Sequence, residues 1–240
     1  MPLVLRALTE KDTLAWTRIR TKAYFSPLHV LVHTQPVAES SFIGVAEDRK
    51  KEIGKPNTWQ WKIVDTELPP TADDPEDNGG CTIAIAIWSA YNMPGKAGTK
   101  RSGGSVHDHG IDAGWGEQDQ PFIPPELRLD ILSALLGPLR AAQEEIMGKE
   151  TPYLKLNTLA THPNHQRRGA GKMLLEWGLS KADKEGLKMY LDASAKGYKV
   201  YEKAGFKTVR EVTFDMEKWG GKGEEWWACM VREPRKDQGL

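Results

Sequence analysis

The sequence predicts an α/β or α+β fold in which helices pack on a largely shared sheet. Three observations predict it. From residue 153 onward, segments of strand period and helix period alternate, the signature of helices layered on a sheet. A glycine-rich turn, Gln166-Arg167-Arg168-Gly169-Ala170-Gly171, joins one such strand to one such helix. The 2 cysteines of the 240-residue chain, Cys81 and Cys229, lie inside apolar runs and frame no disulfide scaffold, so the fold must rest on a packed core.

Taken in order, residues 3–8 read as a short first strand. Thr9-Glu10-Lys11-Asp12 supplies helix-start chemistry, and Leu14, Trp16, Ile19 and Ala23 recur at helical spacing, predicting a helix over residues 12–25. Residues 26–41 are punctuated by Pro27 and Pro36, and the charged run 46–54 reads either as a second short helix or as a solvated loop. Residues 59–66 and 81–89 alternate like half-buried strands, the second through Ile83, Ile85 and Ile87. Between them, residues 67–80 read as a solvated connector. Its acidic cluster around Pro75 fits a surface loop, with attraction of a cationic substrate as the rarer role.

Residues 92–125 are rich in Gly, Pro and charge, the composition of a functional loop or a disordered insertion. Pro124-Pro125-Glu126 opens a helix that Leu127, Ile131, Leu135, Leu139 and Ile146 carry to about Met147, with Gly137-Pro138 expected to kink it. The second half then reads as strand 153–161, helix 170–185, strand 188–193, helix 196–204, strand 206–214 and strand 226–232.

The formal net charge is +0, so nothing global argues for nucleic acid or a membrane surface, and any anion recognition must be local. No stretch approaches the ~20 apolar residues of a membrane span, and the amino terminus meets charge too early for a signal peptide, so a cytoplasmic, reduced protein is expected. No metal is expected. His107-Asp108-His109 lacks a third and fourth ligand, and His29 and His33, four apart, share a face only if Pro27 opens a helix.

The loop 166–171 carries the chemistry. A strand that empties through glycines into a helix aims unpaired N–H groups and a positive helix end at one spot, which suits a pyrophosphate. His162-Pro163 breaks the strand, Gly169 and Gly171 clear the approach, and Met173, Leu174, Trp177 and Leu179 seat the helix. Arg167, Arg168 and Lys172 would contact phosphate oxygens, or else form a solvated helix end. His162 and His165 flank the loop and read as facing solvent. A Walker loop would want Ser or Thr where Met173 stands, and a dinucleotide fingerprint would want Gly where Gln166 stands.

Leu156-Asn157-Thr158-Leu159-Ala160-Thr161-His162-Pro163, then residues 166–171, then Tyr201-Glu202-Lys203-Ala204-Gly205-Phe206 together resemble the GNAT superfamily of acetyl-CoA-dependent N-acetyltransferases. The close match runs over residues 152–212, and the outer segments agree only in pattern. The resemblance implies a GNAT-like mixed, twisted central sheet flanked by helices and split at a bulged strand. It implies one N-acetyltransferase domain over residues 1–240, with a variable acceptor-side half, about 1–150, that holds the 92–125 insertion, and an acetyl-CoA-binding core at about 152–232. Acetyl-CoA would be the co-substrate, its pantetheine beside Leu159, Ala160 and Thr161. Its pyrophosphate would rest on Gln166, Arg167, Arg168, Gly169, Ala170, Gly171 and Lys172. Ser194 stands where the family often has a cofactor-touching Asn, seven residues before its tyrosine, which is Tyr201 here.

Acetyl transfer needs a neutral amine, a polarised thioester carbonyl and a proton for the departing thiolate. Tyr201 stands at the position of the family's general acid, and a phenol near pKa 10 can protonate a thiolate whose thiol is near 8.5. The alternative is a packing aromatic, and Tyr198 on the same helix is a weaker candidate. Backbone N–H groups at a bulge near Leu159 would polarise the carbonyl. Residues 153–157 lack the carboxylate that some members use as base. Asp192 could serve through water, or be structural, and the missing carboxylate favours an aromatic or weakly basic amine. Trp16, Trp59, Trp61, Trp88 and Trp115 either line a hydrophobic cleft or pack the core. The expected activity is transfer to a primary amine of a small molecule, by direct attack in a ternary complex, by a monomer or homodimer without nucleic-acid or membrane partners. A protein N-terminal or lysine acetyltransferase, and a catalytically silent CoA-binding module, are the alternatives.

Overall fold

The computed structural model describes residues 2–94 and 121–235. Seven strands form one sheet: β1 (Leu3–Ala7), β2 (Thr58–Asp65), β3 (Cys81–Tyr91), β4 (Tyr153–Thr161), β5 (Lys188–Ser194), β6 (Lys207–Asp215) and β7 (Glu224–Arg232). They lie in the order β1-β2-β3-β4-β5-β7-β6. Every neighbouring pair is antiparallel except β4 and β5. The helices are α1 (Thr13–Ala23), α2 (Pro27–Leu31), α3 (Glu39–Lys50), α4 (Leu129–Met147), α5 (Ala170–Glu185) and α6 (Tyr198–Lys203).

The alternation of isoleucine and alanine in β3 makes it the centre of the molecule: every residue from Cys81 to Trp88 is buried, so both sheet faces are covered. On one face α5 sets Leu174, Leu175 and Ala182 against Leu154, Leu156, Met189 and Leu191. On the other, α1 sets Trp16 and Ile19 against Ile85, Ile87 and Ala160, while α4 sets Leu139, Ala142 and Met147 against Tyr153, Tyr190 and Cys229.

Two irregularities shape β4. Against β3, Trp88 faces Leu156 and Ile87 faces Thr158, so Asn157 is the extra residue of a β-bulge. The expected bulge near Leu159 therefore lies two residues earlier in the strand, where Asn157 Nδ2 donates to Ser89 Oγ at 2.7 Å. Against β5, β4 pairs only through Tyr153, Leu154 and Lys155, opposite Lys188, Met189 and Tyr190. Beyond that point the strands part, and β5 continues on β7 as far as Ser194 opposite Trp227.

The structure corrects several expectations outside this region. The stretch with Pro27 and Pro36 contains α2, capped by Ser26, and α3 begins at Glu39, well before residue 46. The connector 67–80 is tied down: Asp74 accepts from Thr71 N and Oγ1 at 2.8 Å each and from Thr82 N at 3.1 Å, and Asp73 pairs with Arg18 at 3.0 Å. Asp73, Asp74 and Asp77 are thus met by the protein's own donors and cations, while Glu67 and Glu76 are exposed, so the segment is the surface loop expected. Helix α4 starts at Leu129 and runs through Pro138, whose solvent-exposed position leaves the core stripe intact. Much of the insertion, including His107, Asp108, His109 and Trp115, lies outside the described residues. Among the described residues, no helix is long and apolar enough to cross a membrane. Cys81 and Cys229 are free and buried.

Helix α5 is seated at its middle and its end. Gly178 lies so close to Trp88 that an added Cβ would meet the indole Cζ2 at 2.2 Å. At the helix end, Arg232 of β7, 4% exposed, holds Asp183 through two contacts of 2.8 Å. This hydrogen-bonded guanidinium lowers the Asp183 pKa below its ordinary value.

Gly178→Ala should overpack this contact and cost about 1–3 kcal/mol in urea unfolding, with activity per folded molecule retained. Asp183→Asn leaves Arg232 without its counter-charge and should cost about 3 kcal/mol at neutral pH. Because the folded pKa is depressed, the stabilisation is present above the ordinary carboxyl pKa of about 3.9 and is lost as pH falls through the lower folded value. The stability gap between wild type and Asp183→Asn should therefore narrow below about pH 4 and stay constant above it.

Candidate functional site

The parting of β4 from β5 opens a fork whose two edges are Leu156 to Thr161 on one side and Leu191 to Ser194 on the other. At the open end of the fork, β4 runs through a short turn at Pro163–His165 into α5. The residues between them bend the backbone sharply: Arg167 has φ 61° and Gly169, the N-cap of α5, has φ 90°. No side chain caps the helix, so the first amides of α5 stay free to receive an acceptor. A Cβ on Gly169 would find nothing within 4 Å, and one on Gly171 would find only Thr161 Oγ1, at 3.6 Å. This is an open cradle of donors at a positive helix end, with room for a phosphate.

The predicted cations divide here. Arg167 and Lys172 are exposed, Lys172 with a loose i,i+4 partner in Glu176 at 3.5 Å. Arg168 instead reaches back to the fully buried Asp65 at the end of β2, Nη2 to Oδ2 2.5 Å. In this arrangement its charge is paired with that carboxylate, while its side chain remains exposed at the loop. Gln166 is exposed beside it. His162 and His165, expected to face solvent, are half-buried with ring centroids 5.3 Å apart. Burial, and then Lys22 and His165, hold the His162 pKa below its ordinary value.

Tyr201 stands where β5 leaves the fork. Ser194 O accepts from Gly197 N at 2.9 Å, and this turn starts α6. The Tyr201 ring packs edge-on to Phe206, 6.1 Å between centroids, and over Gly197, where an added Cβ would lie 2.9 Å from its Cε2. Burial, and then Tyr24, raise the Tyr201 pKa, so the phenol holds its proton at neutral pH. Tyr24, at the end of α1, donates from its hydroxyl to Leu159 O at 3.4 Å on the opposite edge of the fork. Tyr24 was not legible as a site residue, and its one sequence signal is an aromatic at a helix end. Tyr198 turns away from the fork and meets Trp226 edge-on at 5.7 Å.

At the closed end, Asp192 is held on the α4 side of the sheet. Tyr190 donates its hydroxyl to Asp192 Oδ1 at 2.7 Å, and Lys155 Nζ lies 3.4 Å from Oδ2. Lys155 also donates to Gln143 of α4, which in turn donates to the Tyr153 hydroxyl at 2.7 Å. Burial pushes the neighbouring Cys229 thiol up to about 11, and burial raises Cys81 as well. Asp192 is the one acidic residue of β4 and β5, and it spans the crotch of the fork through Lys155.

The tryptophans divide between the two sheet faces. Trp16 and Trp88 are fully buried, while Trp59 and Trp61 pack on Trp177 of α5 at 5.9 and 5.0 Å, so these four serve the core. The His29 and His33 rings lie 4.5 Å apart, tilted by 40°, and burial, then His33 and Arg20, depress His29 to about 4. Among the described residues, no group of three or more His, Cys, Asp or Glu side chains is arranged to hold a metal ion.

Residues 138–208 match the family model described as acetyltransferase (GNAT) domain, a span that contains β4, the cradle, β5 and α6. Three solved structures share the fold. The mosquito arylalkylamine N-acetyltransferase like 5b is 16% identical, with 96% of this chain and 99% of that chain covered and a TM-score of 0.57. A structure described as histone acetyltransferase HPA2 and related acetyltransferase, from Corynebacterium glutamicum, is 17% identical, with 100% of both chains covered and a TM-score of 0.56. The Drosophila melanogaster polyamine N-acetyltransferase is 12% identical, with 96% of this chain and 99% of that chain covered and a TM-score of 0.51.

Proposed function

We propose, from the premise that the chain belongs to the GNAT superfamily of acetyltransferases, that it moves an acetyl group from acetyl-CoA to the primary amine of a small molecule with an apolar body. One observation carries the reading: the fork between β4 and β5 runs directly into the open amide cradle at Gly169. A strand edge without a partner strand suits an amide-bearing arm such as pantetheine, and the cradle suits its pyrophosphate. Arg167 and Lys172 add charge at the cradle, and Ser194, the last residue of β5, lies on the other strand of the fork, with Tyr201 on the helix that follows. Acetyl-CoA supplies an activated thioester; the protein's residues orient it and manage protons.

The neutral amine attacks the thioester carbonyl carbon, a C–N bond forms, and the C–S bond breaks. The leaving sulfur takes the phenolic proton of Tyr201, and solvent restores the phenol. Burial raises the pKa of a phenol and of a thiol alike, so the transfer between them stays near balance within the same desolvated site. The proton lost by nitrogen passes through water to Asp192, lodged between Tyr190 and Lys155. An apolar acceptor is favoured because Tyr24 leads into Phe25, 62% exposed, and because Asp192 already carries a counter-charge in Lys155, leaving little net attraction for a polycation. The arylalkylamine N-acetyltransferase among the fold relatives supports the same acceptor class by analogy only.

Acetyl-CoA at one hundred times its Kd should stabilise the chain by about 2.7 kcal/mol, and no change in melting temperature would remove the donor assignment. In a panel of arylalkylamines, polyamines and peptide amino termini, thiol release should be fastest with the first group, and faster release with peptides would replace this acceptor reading. Tyr201→Phe should lower kcat about 100-fold and leave the Kd for acetyl-CoA unchanged, and full turnover would remove Tyr201 as the acid. Gly169→Val forces a branched side chain into a left-handed backbone, a strain of about 1–2 kcal/mol. Its Kd for acetyl-CoA should rise about tenfold with the fold intact, and a wild-type Kd would contradict the cradle.

A further inference from the structure

Asp65 is the last residue of β2, far from the donor loop in sequence, and it is fully buried. It is fixed from every side. Its backbone pairs with Leu3 of β1 and Cys81 of β3. Its Oδ1 accepts from Glu67 N at 3.2 Å. Gly80 passes so close that a Cβ there would lie 2.3 Å from Asp65 O. The carboxylate therefore cannot follow a moving partner, and whatever it binds is held to the sheet.

What it binds is Arg168, at the middle of the donor loop, whose Nη1 also lies 3.4 Å from His165 Nδ1. On either side of Arg168 the backbone adopts positive φ, at Arg167 and Gly169. For Arg167, a residue with a Cβ, that conformation costs about 1–2 kcal/mol, and something must hold it. A loop left to relax would swing Arg167 to negative φ and turn the amides ahead of α5 out of the cradle. Asp65 Oδ2 is buried and has no hydrogen-bond partner among the described residues, so the Arg168 guanidinium beside it is its counter-charge. Moving Arg168 away would leave a buried carboxylate unpaired at a cost of several kcal/mol, which restrains the residue between the two bends.

We propose that Asp65 is a positioning residue of the acetyl-CoA site: through Arg168 it braces the 166–169 backbone in the form that presents its amides to the pyrophosphate. This inference rests on the donor reading given above. It assigns Arg168 to the shape of the loop, with Arg167 and Lys172 left as the cations that face phosphate.

The test compares two donors that differ in the part the loop would hold. Acetyl-CoA carries the pyrophosphate; S-acetylpantetheine lacks it. Asp65→Asn should raise the KM for acetyl-CoA about tenfold with kcat nearly unchanged, while kcat/KM for S-acetylpantetheine stays at the wild-type value. Arg168→Lys, which keeps the charge and loses the planar fork, should raise the KM by a smaller factor. An unchanged KM for acetyl-CoA in a folded Asp65→Asn variant overturns the proposal. So does an equal loss with both donors, because a damaged fold does not discriminate between them. If Asp65→Asn fails to fold, the same comparison is made with Arg168→Lys and Arg168→Gln. Amide hydrogen exchange over residues 165–173 of the free protein tests the brace without any donor. The readout is the hydrogen-bonded amides that border the loop, His165 N on His162 O at 2.8 Å and Met173 N on Gly169 O at 3.0 Å. Their exchange should be faster in the variant than in wild type, and identical exchange overturns the proposal. If the wild-type chain binds no acetyl-CoA in calorimetry, the donor reading fails, while the exchange experiment still judges the brace.

Discussion

Lys155 and Tyr190 are the last residues at which β4 and β5 share a ladder, and the site exists because that ladder stops there. Backbone donors and acceptors inside a sheet must be paired, so two strands that separate in mid-sheet need other partners for their inner edges. Strand β5 stays straight because β7 holds its far edge from Met189 to Ser194. Strand β4 stays on β3 by inserting Asn157 as a bulge, which changes the side-chain phase. Leu154, Leu156 and Leu159 thus pack with α5, while Ala160 turns to α1. The inner edge left over on β4 holds the Leu159 carbonyl, met by the Tyr24 hydroxyl.

Helix α5 locks this arrangement against the sheet at three points. Its leading loop is tied to β2 by Arg168 and Asp65, its middle presses on Trp88 of β3 through Gly178, and its last turn is tied to β7 by Asp183 and Arg232. The two ion pairs involve buried partners, and such pairs add less to net stability than their Coulomb energy suggests. What they fix is register. The helix lies over β1 to β4 and is tied across the fork to β7 by the Asp183–Arg232 pair.

The parts of this architecture that were legible in the sequence are those governed by local pattern. Strand β4 and helix α5 begin and end where the apolar periodicity, His162-Pro163 and Gly186 place them. The bend ahead of α5 was legible because a strand, a glycine-rich turn and an apolar helix face follow one another there without interruption. Helix α3 was not, because its buried face includes Ser41 and Arg49 and lacks an apolar stripe; Ser41 is held by Glu126, and Arg49 by Thr17. The partner of Arg168 was invisible for a different reason: an arginine beside glycines looks the same in sequence whether it faces phosphate or a distant carboxylate. Tyr24 and Lys155 were missed likewise, since their roles arise from contacts between elements that no local spacing encodes. Pro138 is accommodated inside α4 because on its outer face the lost hydrogen bond faces water.

The state of the two cysteines has a practical consequence for measuring this chemistry. Acetyl transfer releases a free thiol into solution, and the simplest record of it is the colour that a thiol-reactive disulfide dye develops. Such dyes are attacked by thiolates that they can reach. Cys81 and Cys229 are both buried with raised pKa values, so the native protein holds them protonated and out of contact. Under the proposed reaction, the colour that appears during turnover counts the released coenzyme alone. A slow drift in a blank without amine reports the opening of the fold around β3 and β7, a clock for unfolding supplied by the same reagent.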